Sequence, residues 1–184
     1  MLFEKIISEH NKAVESLTLL KPNLLNIFEL SKKVLNNGKK IIVIGNGGSA
    51  ADAQHFAAEL TGRFEKNRKA LSAIALTTDT SAITAIANDF GFEQIYSRQI
   101  EAIGNTGDIL IAISTSGNSA NIIQAIISAK QKGIICVGLL GNKGGKIKEL
   151  LEHSIIVPSS STARIQEVHL LIEHLWCNSL EEDY

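Results

Sequence analysis

Three groups of residues in this 184-residue chain have the types and spacing to do chemistry. His55 and Glu59 lie four apart in a helical stretch, so they share one face. An imidazole beside a carboxylate can move a proton to and from a bound molecule, although the same spacing also makes an ordinary surface ion pair. Near the C-terminus, Gln166, His169, Glu173 and His174 are polar positions in a helical segment otherwise built from Val168, Leu170, Leu171, Ile172, Leu175 and Trp176. Gln166 and His174 are eight apart, about 80° around a helix axis and two turns along it, so both can line one edge of a pocket. His169 is an equally good candidate by periodicity, and either histidine can instead be a hydrogen-bonded core or interface residue. The third group is Ser114-Thr115-Ser116-Gly117-Asn118-Ser119, which places four hydroxyls at an expected helix N-terminus. A simple N-cap needs one hydroxyl. A phosphomonoester, with three oxygens to satisfy and a preference for the positive end of a helix dipole, uses them all.

Two matching strand–loop–helix stretches must position these groups. Ile41-Ile42-Val43-Ile44 runs into Gly45-Asn46-Gly47-Gly48-Ser49-Ala50, and Ile109-Leu110-Ile111-Ala112-Ile113 runs into the serine loop. Each apolar, β-branched run reads as a buried parallel strand that delivers the chain to a helix. The rest alternates in the same way. Strands are expected at 40–44, 70–76, 109–113, 134–139 and 154–157. Helices are expected at 49–62, 81–87, 93–103, 119–132, 146–151 and 162–180, with a turn over Asn88-Asp89-Phe90-Gly91. Ahead of the first strand, apolar positions at helical spacing predict a helix over 2–19. Pro22 interrupts it, Asn23 is a possible cap, and a second helix runs to Leu35, stopped by Asn36-Asn37-Gly38. The first helix carries enough apolar surface to pack on another subunit, or equally on its own domain. The expectation is one domain over residues 1–184, with a helical extension at 1–37 and an α/β core at 38–184. The core would be a three-layer sandwich around a five-stranded parallel sheet in the flavodoxin-like order 2-1-3-4-5. That order makes strands 1 and 3 neighbours at the topological switch point, where ligands bind beyond the strands' carboxyl ends.

Composition narrows the function classes. Hydrophobic residues are 45% and charged residues 20%, as in ordinary globular domains, and the formal net charge of −1 argues against a nucleic-acid partner. No apolar run reaches the roughly 18 residues of a membrane span, and residues 1–10 lack a signal-peptide core. The expected location is the cytoplasm. Cys136 and Cys177 form no CxxC pair and read as core thiols. Gly45-Asn46-Gly47-Gly48-Ser49-Ala50 can be fitted to a dinucleotide fingerprint, but the acidic residue expected at the end of strand 2 is missing and Asp79 comes late. No Walker-type phosphate loop occurs.

The pairing of strand-GNGGSA-helix with strand-STSGNS-helix resembles the sugar isomerase (SIS) domain, a phosphosugar-binding fold. His55-Phe56-Ala57-Ala58-Glu59-Leu60-Thr61-Gly62-Arg63, Asn88-Asp89-Phe90-Gly91 and Arg164-Ile165-Gln166-Glu167 resemble its phosphoheptose isomerase branch, and the likeness covers the whole chain. That resemblance implies conversion of sedoheptulose 7-phosphate to D-glycero-D-manno-heptose 7-phosphate, towards the heptose of lipopolysaccharide core or related surface glycans. It implies a homotetramer and one Zn²⁺ per subunit on His55, Glu59, Gln166 and His174, with Glu59 the base and His174 the acid. Substrate contacts are implied at Asn46, Gly47, Gly48, Glu59, Asn88, Asp89, Ser114, Thr115, Ser116, Ser119 and Gln166. A carboxylate on zinc is a weaker base, so either Glu59 loosens its bond to the metal during turnover or the metal is partly organisational. Similar SIS domains also serve as adaptors, one of them on the bacterial replication initiator. They do not need the acid–base pair, so the presence of all four residues favours an enzyme, with isomerisation of another phosphosugar as the nearer alternative.

Overall fold

A run such as Ile41-Ile42-Val43-Ile44 has no polar face, so it is stable only where both faces are covered. In the computed structural model, which describes residues 1–184, it forms β1 (Ile41–Gly45), buried throughout. Beside it lie β2 (Ala73–Ala75) and β3 (Ile109–Ser114), followed by β4 (Ile135–Gly141) and β5 (His153–Val157). The sheet is parallel with order β2-β1-β3-β4-β5, as the sequence implied. Helices precede and connect the strands: α1 (Leu2–Glu15), α2 (Leu17–Asn36), α3 (Gly48–Thr61), α4 (Thr80–Phe90), α5 (Ser97–Ile103), α6 (Ala120–Gln131), α7 (Gly145–Lys148) and α8 (Thr162–Glu181).

Strand alternation divides the core in two. Ile41, Val43, Ile109, Ile111 and Leu139 face one side, against Ile27 and Phe28 of α2, Phe56 and Leu60 of α3, and Val168, Ile172 and Trp176 of α8. Ile42, Ile44, Leu110, Ala112 and Leu140 face the other, against Ile100 of α5, Ile122 and Ile126 of α6, and Ile147 of α7. The two helices that carry the acid–base candidates, α3 and α8, therefore share a layer. Trp176 locks that layer, its ring 5.4 Å from Phe28 and 5.3 Å from Phe56.

Several boundaries move. Pro22 does not interrupt the N-terminal helices; the break is at Ser16, and Pro22 lies inside α2. Burial of Leu24, Ile27 and Phe28 on the sheet outweighs the roughly 3 kcal/mol that proline costs a helix. Asn23 is not a cap, since its amide donates to the Ser154 carbonyl at 2.6 Å. β2 is shorter than expected, because an edge strand pairs only where β1 faces it, at Ala73–Ala75. Asn88, Asp89 and Phe90 form the last turn of α4 rather than a separate turn, and Gly91, at φ +91°, supplies the stop. The expected helix over 93–103 divides into a 3-10 turn, Phe92–Gln94, and α5. Ile95 and Tyr96 between them are buried, and the Tyr96 hydroxyl donates to the Gly45 carbonyl at the end of β1. Both cysteines are buried and free. No helix is long and apolar enough to cross a membrane.

Candidate active site

β1 and β3 end side by side, with Gly45 opposite Ile113. Both glycine and serine loops leave from that point. Gly47, at φ +56°, turns the chain directly from β1 into α3. Asn46 and Asn121 exchange two amide hydrogen bonds, each 2.8 Å, and so tie the glycine loop to the first turn of α6. In the serine loop, Ser114 Oγ accepts from Gly117 N at 3.1 Å and lies 3.4 Å from Ser119 Oγ. Ser116 Oγ accepts from Asn118 N at 3.2 Å. Two hydroxyl oxygens thus shape the turn, which leaves their protons, and the Thr115 hydroxyl, able to donate to a ligand. Gly117 is at φ +65°, and a Cβ there would stand 2.0 Å from the Gly144 carbonyl oxygen, so the serine loop rests directly on the loop after β4. Neither α3 nor α6 has a side-chain N-cap, whereas Asp79 caps α4 through Ala82 N at 2.9 Å. Asn121 Oδ1 closes one N–H of α6, that of Ile122, at 3.0 Å; the remaining N–H groups at the two helix starts, beside the hydroxyls, have the chemistry to hold an anion.

From this end of the sheet α3 and α8 run alongside each other. Gln166 packs on Gly48 so closely that a Cβ there would lie 2.3 Å from its Nε2. His55 is seven residues beyond Gly48 and His174 eight beyond Gln166, roughly 10–12 Å along each helix. The two imidazoles meet there, Nε2 to Nε2, at 3.0 Å with ring centroids 5.2 Å apart. Glu59 Oε1 is 3.7 Å from His55 Nε2. The fold therefore brings Gln166, His174, His55 and Glu59 to one seam. His169 is not on it: fully buried, it holds the Leu140 carbonyl at 3.0 Å, and burial moves it down to about 4. It is the hydrogen-bonded core residue. Glu173 is also buried, with neither carboxyl oxygen bonded. Burial, with Asp52 nearby, pushes its carboxyl well above the usual range.

The donor set has the chemistry of a zinc site. Two nitrogens on one tetrahedral Zn²⁺ stand about 3.3 Å apart, close to the 3.0 Å of the histidine pair. Imidazole nitrogen and carboxylate or amide oxygen suit the ion chemically. The cage is not closed in this chain, since no three or more His, Cys, Asp and Glu side chains are already grouped to hold an ion. Glu59 would have to swing inward, and Gln166, now packed on Gly48 two turns back along α8, would have to turn its amide towards the histidine pair.

Asn88 and Asp89 stand apart. They lie on the exposed last turn of α4, where Asn88 Nδ2 donates to Asp89 Oδ1 at 2.7 Å, and neither bonds to the loops or to the histidine pair. Asp89 instead lines an apolar groove with Thr78, Ile86 and Arg98. Other residues that shape the site escape sequence reading. Asn121 and Tyr96 brace the glycine loop, and Phe64 packs its ring 5.2 Å from that of His174. Asn121 alone left a trace, as a polar residue opening an apolar helix.

Residues 7–141 match the SIS domain family. The chain is 53% identical over 183 residues to phosphoheptose isomerase 1 of Campylobacter jejuni, covering 100% of this chain and 98% of that one. It is 50% identical over 184 residues to a phosphoheptose isomerase of Helicobacter pylori strain P12, covering 100% and 96%. Among solved structures, a phosphoheptose isomerase from Neisseria gonorrhoeae superposes with a TM-score of 0.90 at 43% identity, over 99% of this chain and all of that one. One from Francisella tularensis gives 0.91 at 36%, over the whole of both chains. With a hydroxyl-rich loop at the switch point and a histidine–carboxylate seam two helical turns beyond it, the chain belongs to the SIS-domain family and, within it, to the phosphoheptose isomerases, which makes it a sugar-phosphate isomerase.

Proposed function

We propose that this enzyme interconverts sedoheptulose 7-phosphate and D-glycero-D-manno-heptose 7-phosphate through an enediol. The observation that carries the reading is the seam itself: His55, Glu59 and His174 converge roughly 10 Å from Gly48 along α3, so phosphate and reacting carbonyl belong at opposite ends of an extended sugar. The hydroxyls of Ser114, Thr115, Ser116 and Ser119 and the open starts of α3 and α6 hold the phosphate. Asn46 and Gln166 bond sugar hydroxyls near Gly47 and Gly48. Glu59 removes the proton from the carbon beside the carbonyl, and His174 donates to the carbonyl oxygen. Glu59 then returns its proton to the neighbouring carbon while the terminal hydroxyl gives its own to His174, which completes the aldose and restores both side chains.

His55, Glu59, Gln166 and His174 would hold one Zn²⁺, which when bound polarises the carbonyl. The enzyme works as a homotetramer in the cytoplasm. Leu2, Phe3 and Ile7 of α1 are exposed, and no residue of α4 is buried, so both helices offer apolar faces for further copies to cover. Assembly would also give Asn88 and Asp89 a route to a sugar, from one chain to the site of the next. The product supplies the heptose of lipopolysaccharide core or another surface glycan.

The test is conversion of sedoheptulose 7-phosphate by purified protein, with Zn²⁺ added and after chelation. Turnover abolished by chelation and restored by Zn²⁺ is the expected result. Turnover that survives thorough chelation would remove the metal site. No turnover with metal present would overturn the heptose assignment, and a panel of five- and six-carbon phosphosugars would follow.

A further inference from the structure

A buried charge pair ties the far end of the α3–α8 seam together. Glu181, near the end of α8, accepts the backbone N–H groups of Phe64 at 2.9 Å, Glu65 at 3.0 Å and Lys66 at 2.9 Å. Arg68 Nε lies 3.3 Å from Glu181 Oε1, both side chains 1% exposed. The guanidinium of Arg68 also closes the end of α3. Its Nη2 donates to the Glu59 carbonyl at 2.7 Å and its Nη1 to the Leu60 carbonyl at 2.9 Å. Two side chains therefore fix the last turn of α3, the loop that follows and the last turn of α8.

Closing a helix end needs one cap, and this arrangement does more. It hands one aromatic ring to the site: Phe64, whose amide Glu181 holds, packs on His174 with ring centroids 5.2 Å apart and 31° between planes. His174 thus has two ring neighbours, Phe64 tilted at 31° and His55 edge-on at 63°. An imidazole has two different nitrogens, and acid chemistry needs the correct one turned to the substrate oxygen. The His55 contact at 3.0 Å restrains one edge of the ring, and its tilt about that contact is soft unless packing restrains it.

We infer that Phe64, held in place by Glu181 and Arg68, is a positioning residue that fixes the orientation of the His174 imidazole; this rests on the role given to His174 above. Phe64 touches no reacting atom, and its contribution is geometric.

The test compares Phe64→Ala, Phe64→Leu and Phe64→Tyr in the full-length protein with ring-labelled histidine. The His174 resonances are assigned with His174→Gln. Loss of the aromatic ring is expected to change the His174 tautomer balance, read from the separation of its two ring-nitrogen shifts, which loss of the Phe64 ring current barely moves, and to lower kcat roughly tenfold, with KM within about twofold of wild type. Phe64→Tyr, which keeps the ring, restores both. If Phe64→Ala does not fold, Phe64→Leu carries the test, since it keeps the apolar bulk and loses the flat face. A wild-type separation of the two His174 ring-nitrogen shifts in the ringless variants overturns the inference, as does a fall in kcat that Phe64→Tyr fails to restore. A wild-type protein inactive on sedoheptulose 7-phosphate would remove the proposed reaction instead, and the His174 resonances alone would then decide whether Phe64 holds that ring.

Discussion

Gly48→Ala separates the role of the glycine loop in folding from its role in catalysis. Gly48 is the first residue of α3 and its φ is not positive, so alanine meets no backbone strain there. By helix propensity alone, alanine is favoured by up to about 1 kcal/mol. The added Cβ, however, would stand 2.3 Å from Gln166 Nε2 and 2.9 Å from its Cδ, where ordinary contact begins at 3.4 Å. The Gln166 amide must retreat by the difference, about 1.1 Å, and it can, because it is the end of a flexible side chain. A displacement of that size at a substrate-positioning group costs roughly 100-fold in rate, or about 2.7 kcal/mol of transition-state stabilisation. The expected outcome is a melting temperature equal to or above wild type, with kcat/KM for sedoheptulose 7-phosphate down by about two orders of magnitude. Gln166→Ala should lose a similar amount. The double variant should lose little more than either alone, because both act through one amide. Wild-type turnover by Gly48→Ala, or fully additive losses in the double variant, would refute the role assigned to the Gly48–Gln166 contact.

Three other outcomes follow from the geometry. Glu59→Gln keeps the size of the side chain and the Arg68 bond to its carbonyl, so the protein should fold and bind sugar phosphate while kcat falls by at least about 100-fold; normal turnover would remove Glu59 as the base. Gly117→Ala forces a side chain into a position at φ +65°, 2.0 Å from the Gly144 oxygen; the serine loop should shift and inorganic phosphate should no longer raise the melting temperature, as it does when it binds the native state. Glu181 is pushed up by its burial, but three backbone N–H bonds and Arg68 outweigh that and hold its carboxyl below the usual range. A depressed carboxyl contributes stability above its unfolded value of about 4.3, and that contribution fades as pH falls through the folded value. Acid titration of stability should therefore be shallower in Glu181→Gln than in wild type, and superimposable curves would show that the loop clamp contributes nothing.

Much of this was legible in the residues because the causes are local. A run of four β-branched or aliphatic residues needs burial on both faces wherever it occurs, so β1 and β3 could be placed from Ile41–Ile44 and Ile109–Ile113. The serine loop could be placed between β3 and α6 for the same reason, since it follows a buried strand and opens a helix. Helix ends were read where glycine supplied the stop and misread where packing overrode a rule. Pro22 survives inside α2 because Leu24, Ile27 and Phe28 reach the sheet. The choice between His169 and His174 was open by periodicity, and family resemblance favoured His174. The physical reason lies in the fold: one face of α8 is turned to the Leu140 carbonyl of β4 and another to α3.

The chain's own order of residues determined the strand–loop–helix units, the hydroxyl-rich loop after β3 and the candidates for proton transfer. Tertiary structure alone decided how those candidates meet. His55 and His174 are 119 positions apart, and Arg68 and Glu181 more than a hundred. Their proximity follows from packing α3 beside α8 on the same face of the sheet, around Trp176. No local pattern encodes which residues of two distant helices share a seam, because that depends on how both apolar faces fill one common core.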